Sequence, residues 1–188
     1  MSVLRVAPME RVEEALLAAI EEALRHCFGI DVQRHSALGA PEFAWDGARR
    51  QFSAPLILRR LLVELDGAGG SDGSRRLLAV TGRDLYIPML SFVYGQAQLG
   101  GRAGVVSMAR LRSEFYALAP DEELLRVRAC KEALHEAGHL FGLVHCSDAS
   151  CVMALSTGVG QIDMKQPLLC AGCAALAAEG RGEVRERR

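Results

Sequence analysis

Apolar residues return along this chain in two rhythms, one helical and one suited to strands. From residue 1 to residue 30 they recur at helical spacing with charges interrupting every run, which predicts an amphipathic helix and neither a signal peptide nor a membrane span. Leu56 to Leu65 predicts a second helix, while Leu77 to Thr81 and Gly104 to Met108 read as short buried strands. Phe92 to Gln98, written FVYGQAQ, alternates large and small residues and predicts one further strand. Val127, Cys130, Leu134, Ala137 and Phe141 stand three or four apart, so a long helix there buries one side. Asp121, after Pro120, is placed to cap it, with Glu122 and Glu123 in the first turn where negative charge suits the helix dipole. Helices alternating with strands imply an α/β layered fold. GAGGSDGS at 67–74 reads as a flexible loop, and EGRGEVRERR at 179–188 as a solvated, frayed tail rather than a basic binding arm.

Composition narrows the class. With 188 residues, half of them hydrophobic, the chain suits one globular domain over residues 1–188 with a real core. A formal net charge of −1 predicts no nucleic-acid partner, and the interrupted apolar runs predict no membrane partner.

The chemistry concentrates in residues 135–145, His-Glu-Ala-Gly-His-Leu-Phe-Gly-Leu-Val-His. Residues four apart share a helix face, so His135 and His139 can offer two imidazole nitrogens to one metal ion. Glu136 points about a quarter turn away, where it can reach a water on that metal without ligating it. A continued helix would carry His145 about 9 Å further along its axis, too far to share the ion. Gly142 offers the exit, because a residue without a side chain takes the left-handed conformation that ends a helix and lets the chain return His145 to the metal. Three neutral imidazoles leave the fourth position of a tetrahedral zinc open to water, the mark of a catalytic site. Zinc lowers the pKa of such a water to about 7, and Glu136 would take its proton and pass it to a leaving amine. A helix can carry the short HExxH pattern by chance; Gly142 and His145 weigh against that reading.

The cysteines form two close pairs, Cys146 with Cys151 and Cys170 with Cys173, at spacings that suit tetrahedral thiolate coordination. Such a site would be structural, since four thiolates leave no position for water. Paired disulfides or ordinary buried cysteines are the alternatives. Disulfides require an oxidising compartment, and nothing in the sequence exports the chain, so the expected location is cytoplasmic. Cys130, on the apolar stripe, and Cys27 read as core.

The long histidine motif resembles that of the metzincin metalloproteases, and HCSDASCVM followed after sixteen residues by CAGC makes the chain similar to the archaemetzincins. The clear match runs from about residue 82 to residue 173 and includes DLYIPMLSFVYGQAQLGGRAGVVSMARLR. The resemblance implies a twisted mixed sheet with an antiparallel edge strand packed on the active-site helix, followed by a zinc-clamped C-terminal segment. It implies two zinc ions per chain, a catalytic one on His135, His139 and His145 and a structural one on Cys146, Cys151, Cys170 and Cys173. Met153 would form the turn beneath the histidines. Some metzincins place a tyrosine ligand two residues after that methionine; here the position is Leu155. Phe92 to Gln98 corresponds to the family's edge strand, to which an extended peptide could add; by sequence alone it is equally an ordinary strand.

Two functions of different class follow. One is a zinc metallopeptidase acting on peptides or unfolded segments, for the sequence shows no propeptide to keep a broad protease latent. The other is a weak or inactive zinc-stabilised peptide-binding protein on the same fold. Glu136 favours the enzyme, because a binding module has no need of a carboxylate beside an open metal. Tyr86, Tyr94, Lys165 and several arginines are candidate oxyanion donors, with packing or surface charge as the alternative. His26 and His35 lie outside any ligand spacing.

Overall fold

The computed structural model describes residues 3–67 and 75–180, so most of the 67–74 loop and the end of the charged tail lie outside the described residues. Strand β1 is Val3–Pro8, helix α1 is Glu14–Phe28 and strand β2 is Asp31–Arg34. Short strands β3 (Trp45–Asp46) and β4 (Gln51–Ser53) lead into helix α2, Ala54–Gly67. Then come β5 (Arg75–Thr81), β6 (Leu85–Ile87), β7 (Leu90–Val93), β8 (Gly95–Ala97) and β9 (Ala103–Ser107). Helix α3 is Glu122–Leu140, α4 is Val159–Met164 and α5 is Ala171–Gly180.

The main sheet has the order β2-β1-β5-β9-β8, with β8 alone antiparallel and at the edge. Its central strands are buried on both faces, which is why they read as unbroken apolar runs. In β5, Leu78 and Val80 face α1 and α3, whereas Leu77 and Ala79 face the cluster formed with α2. A period of two thus feeds two cores from one strand. A second sheet, β3-β4-β6-β7, extends the α2 side.

Two expectations are corrected. The first thirty residues do not form one helix: Val3–Pro8 is a parallel strand inside the main sheet, with Leu4 and Val6 fully buried. A short apolar run fits a buried strand as well as a helical turn, and only its neighbours decide. The helix begins at Glu14 and stops where Gly29 adopts a left-handed φ of 59°. Nor is Phe92 to Gln98 one strand. The chain crosses at Tyr94 from β7 in the small sheet to β8 at the edge of the large one. Alternation reports which side chains share a face, and it is silent on which strand supplies the hydrogen bonds.

The cap at Asp121 forms as its residue type requires, its carboxylate accepting from Leu124 N at 2.8 Å. The apolar stripe understates how enclosed α3 is. Arg128, Lys131 and Glu132 are buried as well, because α4 and the segment after it cover the side that periodicity leaves polar. Arg128 makes a bidentate pair with Asp163 at 2.7 Å, and Lys131 Nζ donates to the carbonyls of Ile162 and Asp163 at 3.0 Å. Among the described residues no helix is long and apolar enough to cross a membrane.

Candidate active site

The last turns of α3 and the chain just beyond it assemble the histidines. His135 and His139 stand one turn apart with their Nε2 atoms 3.1 Å from each other. Each ring is oriented through its other nitrogen: His135 Nδ1 lies 2.9 Å from the carbonyl of Val152, and His139 Nδ1 lies 2.8 Å from that of Leu143. Donation from Nδ1 fixes the tautomer that leaves Nε2 as a bare lone pair, as a metal-binding histidine requires. Gly142 has φ +88°, so the helix ends there as its lack of a side chain allows. The chain turns, and His145 stacks on His135 with ring centroids 5.3 Å apart and meets His139 edge-on at 5.1 Å. All three rings can present one nitrogen within a 4.8 Å span.

That donor set fits zinc. A tetrahedral ion with Zn–N bonds of about 2.0–2.1 Å separates its nitrogen ligands by roughly 3.3 Å, close to the His135–His139 spacing. Burial holds His135 down to about 3, with the charge of Lys165 adding to it, and burial likewise lowers His139 and His145. Neutral imidazole, the ligating form, is therefore the resting state.

Met153 is fully buried beneath this group, its sulfur set against Gly138 so closely that an added Cβ there would overlap it. Gly138 belongs to the turn between the two helical histidines, so the methionine is their floor. Leu155 is exposed at the rim, where it supplies no donor.

The thiols gather next door. Cys146, Cys151, Cys170 and Cys173 place their sulfurs within 4.8 Å of one another, and Cys146 Sγ lies 3.8 Å from Cys170 Sγ. Zn–S bonds of about 2.3 Å set tetrahedral sulfurs roughly 3.8 Å apart, so this set also fits zinc, and none of the six cysteines is in a disulfide. The Cys170 N–H lies 3.4 Å from Cys151 Sγ, and donation from the Cys173 backbone draws the Cys170 thiol down to about 7. Cys146 N donates to Met153 O at 2.9 Å, joining this cluster to the methionine turn. Cys130 is buried in the core as expected, its thiol pushed up to about 11 by desolvation, and Cys27 packs against the same core. His26 is exposed and His35 is bonded to its neighbour Ser36, both away from the site.

The histidines open onto a cleft of about 480 Å³ walled by β7, β8, α3, residues 155–157 and Lys165. Glu136 lies in its wall, nearly wholly buried, with Oε2 lacking any hydrogen-bond partner. A Cβ on Gly95 would stand 2.6 Å from Glu136 Cγ and Oε1, so the strand approaches this carboxylate as only glycine permits. Burial, reinforced by the nearby Glu132 carboxylate, raises the Glu136 carboxyl well above its ordinary range.

Of the candidate oxyanion donors, Tyr86 is bonded to Asp46 at 2.9 Å in the small sheet and does not line the cleft. Tyr94 and Lys165 do line it. The Lys165 ammonium lies 3.6 Å from Glu132, both side chains almost fully buried. Gly95 and Gln96 belong to the stretch expected at the substrate edge, whereas Glu132 and Ser156 enter the cleft without any expectation from the sequence. For Glu132 a signal was available, since it precedes Glu136 by four residues and so shares its helix face.

Comparison with known proteins agrees with this geometry. Residues 70–178 match the model of peptidase family M54. The archaemetzincin of Methanocaldococcus jannaschii is 35% identical over 168 residues, covering 89% of this chain and 88% of that one. That of Methanopyrus kandleri is 45% identical over 136 residues, 72% of this chain and 71% of its own. The crystal structure of an archaemetzincin from Methanopyrus kandleri superposes with a TM-score of 0.81 at 34% identity, covering 97% of this chain and 96% of that one. A zinc-dependent peptidase from Methanocorpusculum labreanum gives 0.86 at 28% identity, covering 93% and 99%. With the family's model spanning more than half its length and relatives alike over most of the rest, this chain belongs to peptidase family M54, the archaemetzincins, and is a zinc metallopeptidase.

Proposed function

We propose that the protein hydrolyses peptide bonds of extended peptides, with His135, His139 and His145 holding a catalytic zinc, Glu136 moving the proton, and Cys146, Cys151, Cys170 and Cys173 holding a second, structural zinc. Glu136 carries the reading. A carboxylate buried with an oxygen lacking any partner costs about 1–3 kcal/mol or more in stability, a cost without purpose in a merely structural wall. Bound zinc supplies an acidified water near neutral pH and polarises the carbonyl to be attacked. Glu136, through the unpartnered Oε2, would take a proton from the attacking water and pass it to the nitrogen of the departing amine, so one side chain would serve as base and then acid. Its closeness to Gly95 holds the carboxylate on the cleft side of α3.

β8 presents the substrate. Tyr94 O accepts from Ser107 N, Gln98 N donates to Ala103 O, and Gln96 pairs with Val105, so the backbone groups of Gly95 and Ala97 turn to the outer edge. An extended peptide can add there as a further strand beside the histidines. The thiol cluster requires reduced cysteines and suits a reducing compartment such as the cytoplasm. The whole of residues 1–188 would act as one domain.

Zinc content and peptide cleavage, measured together, test this. The wild type should carry about two zinc ions, Glu136→Gln two with turnover lowered about 10²- to 10⁴-fold, and His139→Ala about one. Cleavage by Glu136→Gln at the wild-type rate would end the mechanism.

A further inference from the structure

Seven buried side-chain N or O atoms of the described residues lack a hydrogen-bond partner, and six of them belong to the walls of the cleft: Tyr94 Oη, Gln96 Oε1, Glu132 Oε1, Glu136 Oε2, Ser156 Oγ and Lys165 Nζ. Glu136 has a role in the chemistry proposed above. Among the others, Glu132 and Lys165 are the oppositely charged pair that face each other. Glu132 lies one turn before His135 on α3, and Lys165 follows α4, so the two close the cleft on the side leading away from the histidines towards the N-terminus of α3. Their 3.6 Å separation is an ion-pair distance but too long for a good hydrogen bond, which leaves Lys165 Nζ without an acceptor and Glu132 Oε1 without a donor.

We propose that Glu132 and Lys165 form a specificity subsite for a carboxamide side chain, that of glutamine or asparagine, next to the scissile bond. This rests on the metallopeptidase reading of the cleft. A carboxamide carries an acceptor and a donor side by side in one plane, so its oxygen accepts from Lys165 Nζ while its nitrogen donates to Glu132 Oε1. Other side chains match less well. The pair is neutral overall whether the proton lies on the amine or the acid, so an acidic side chain would be desolvated there against the nearby Glu136 carboxyl, and a basic one would be desolvated against Lys165. An aliphatic side chain would leave both polar atoms unfilled. Neighbouring cations do not compete for Glu132, because Lys131 Nζ is taken by the Ile162 and Asp163 carbonyls and Arg128 by Asp163.

Peptide hydroxamates that differ only in one side chain, glutamine, leucine, glutamate or lysine, test the subsite by calorimetric binding to the zinc-loaded protein, with no turnover involved. The glutamine probe should bind about tenfold or more tightly than the other three, since it alone fills both the buried donor and the buried acceptor. Lys165→Met alone leaves Glu132 unpaired and risks the fold, so the decisive variant is the double Glu132→Leu, Lys165→Met, which replaces a buried pair by apolar groups of similar size. It should bind the leucine probe better than the glutamine probe, a reversal that a merely structural pair would not produce. Equal affinity of the wild type for all four probes, or an unchanged order in the double variant, would overturn the subsite alone. Failure of every probe to bind would overturn it together with the zinc reading.

Discussion

Two clusters of side chains that could each hold a metal ion lie side by side, joined through the peptide bond between His145 and Cys146, and they are built to opposite ends. The histidine cluster has three donors on one wall of a cleft, a buried carboxylate beside them, and a third histidine exposed to whatever enters. The cysteine cluster has four donors facing one another, drawn from the loop after α3 and from the start of α5, with backbone N–H groups around the sulfurs. Donor number and enclosure, more than the kind of metal, separate a site that can bind substrate from one that ties chain segments together. Met153 serves both, its side chain under the histidines and its carbonyl accepting from Cys146 N.

The two sites are therefore expected to break differently. The largest effect on folding is expected from Cys170→Ser, which removes a thiolate from a closed set. Metal binding in such sites contributes on the order of 10 kcal/mol to folding, so a loss of even part of it should lower the melting temperature sharply and release about one zinc. Thermal denaturation with metal analysis reads both, and a variant as stable as the wild type would remove the structural role. Gly95→Ala should do the reverse. The added methyl displaces Glu136, and a misplacement of about 1 Å can cost roughly 10²-fold in rate, while both zinc ions remain and the melting temperature changes little. Steady-state kinetics on a fluorogenic peptide would show a fall in kcat; an unchanged kcat would mean the carboxylate does not need its place against the strand. The smallest effect belongs to neither cluster. Asp121→Ala removes the cap of α3 and should cost about 1 kcal/mol in denaturant titration with both metals and kcat retained.

Local sequence was enough for the clusters themselves. His135 and His139 meet because a helix repeats every 3.6 residues, Gly142 ends that helix because it alone accepts φ +88° without strain, and the cysteine pairs are close in sequence before they are close in space. The elements with strong local signals also appear where the pattern put them: α2 covers Leu56 to Leu65, and β5 and β9 cover Leu77 to Thr81 and most of Gly104 to Met108. Edge position was different. FVYGQAQ alternates in the same way whether it is one strand or two, and its division at Tyr94 depends on two separate sheets offering partners.

Periodicity over a few turns is enough to tell which residues can bind metal and on which helix face they stand. The cleft around them comes from packing between distant segments. Gly95 against Glu136, separated by forty-one positions in the chain, and Glu132 against Lys165, separated by thirty-three, meet only because β8 closes the sheet beside α3 and α4 folds back over the same helix. No spacing rule reaches that far. The polar lining of the cleft is fixed by which backbone segments pack together, and that is set by the burial of the two cores on either side of the sheet.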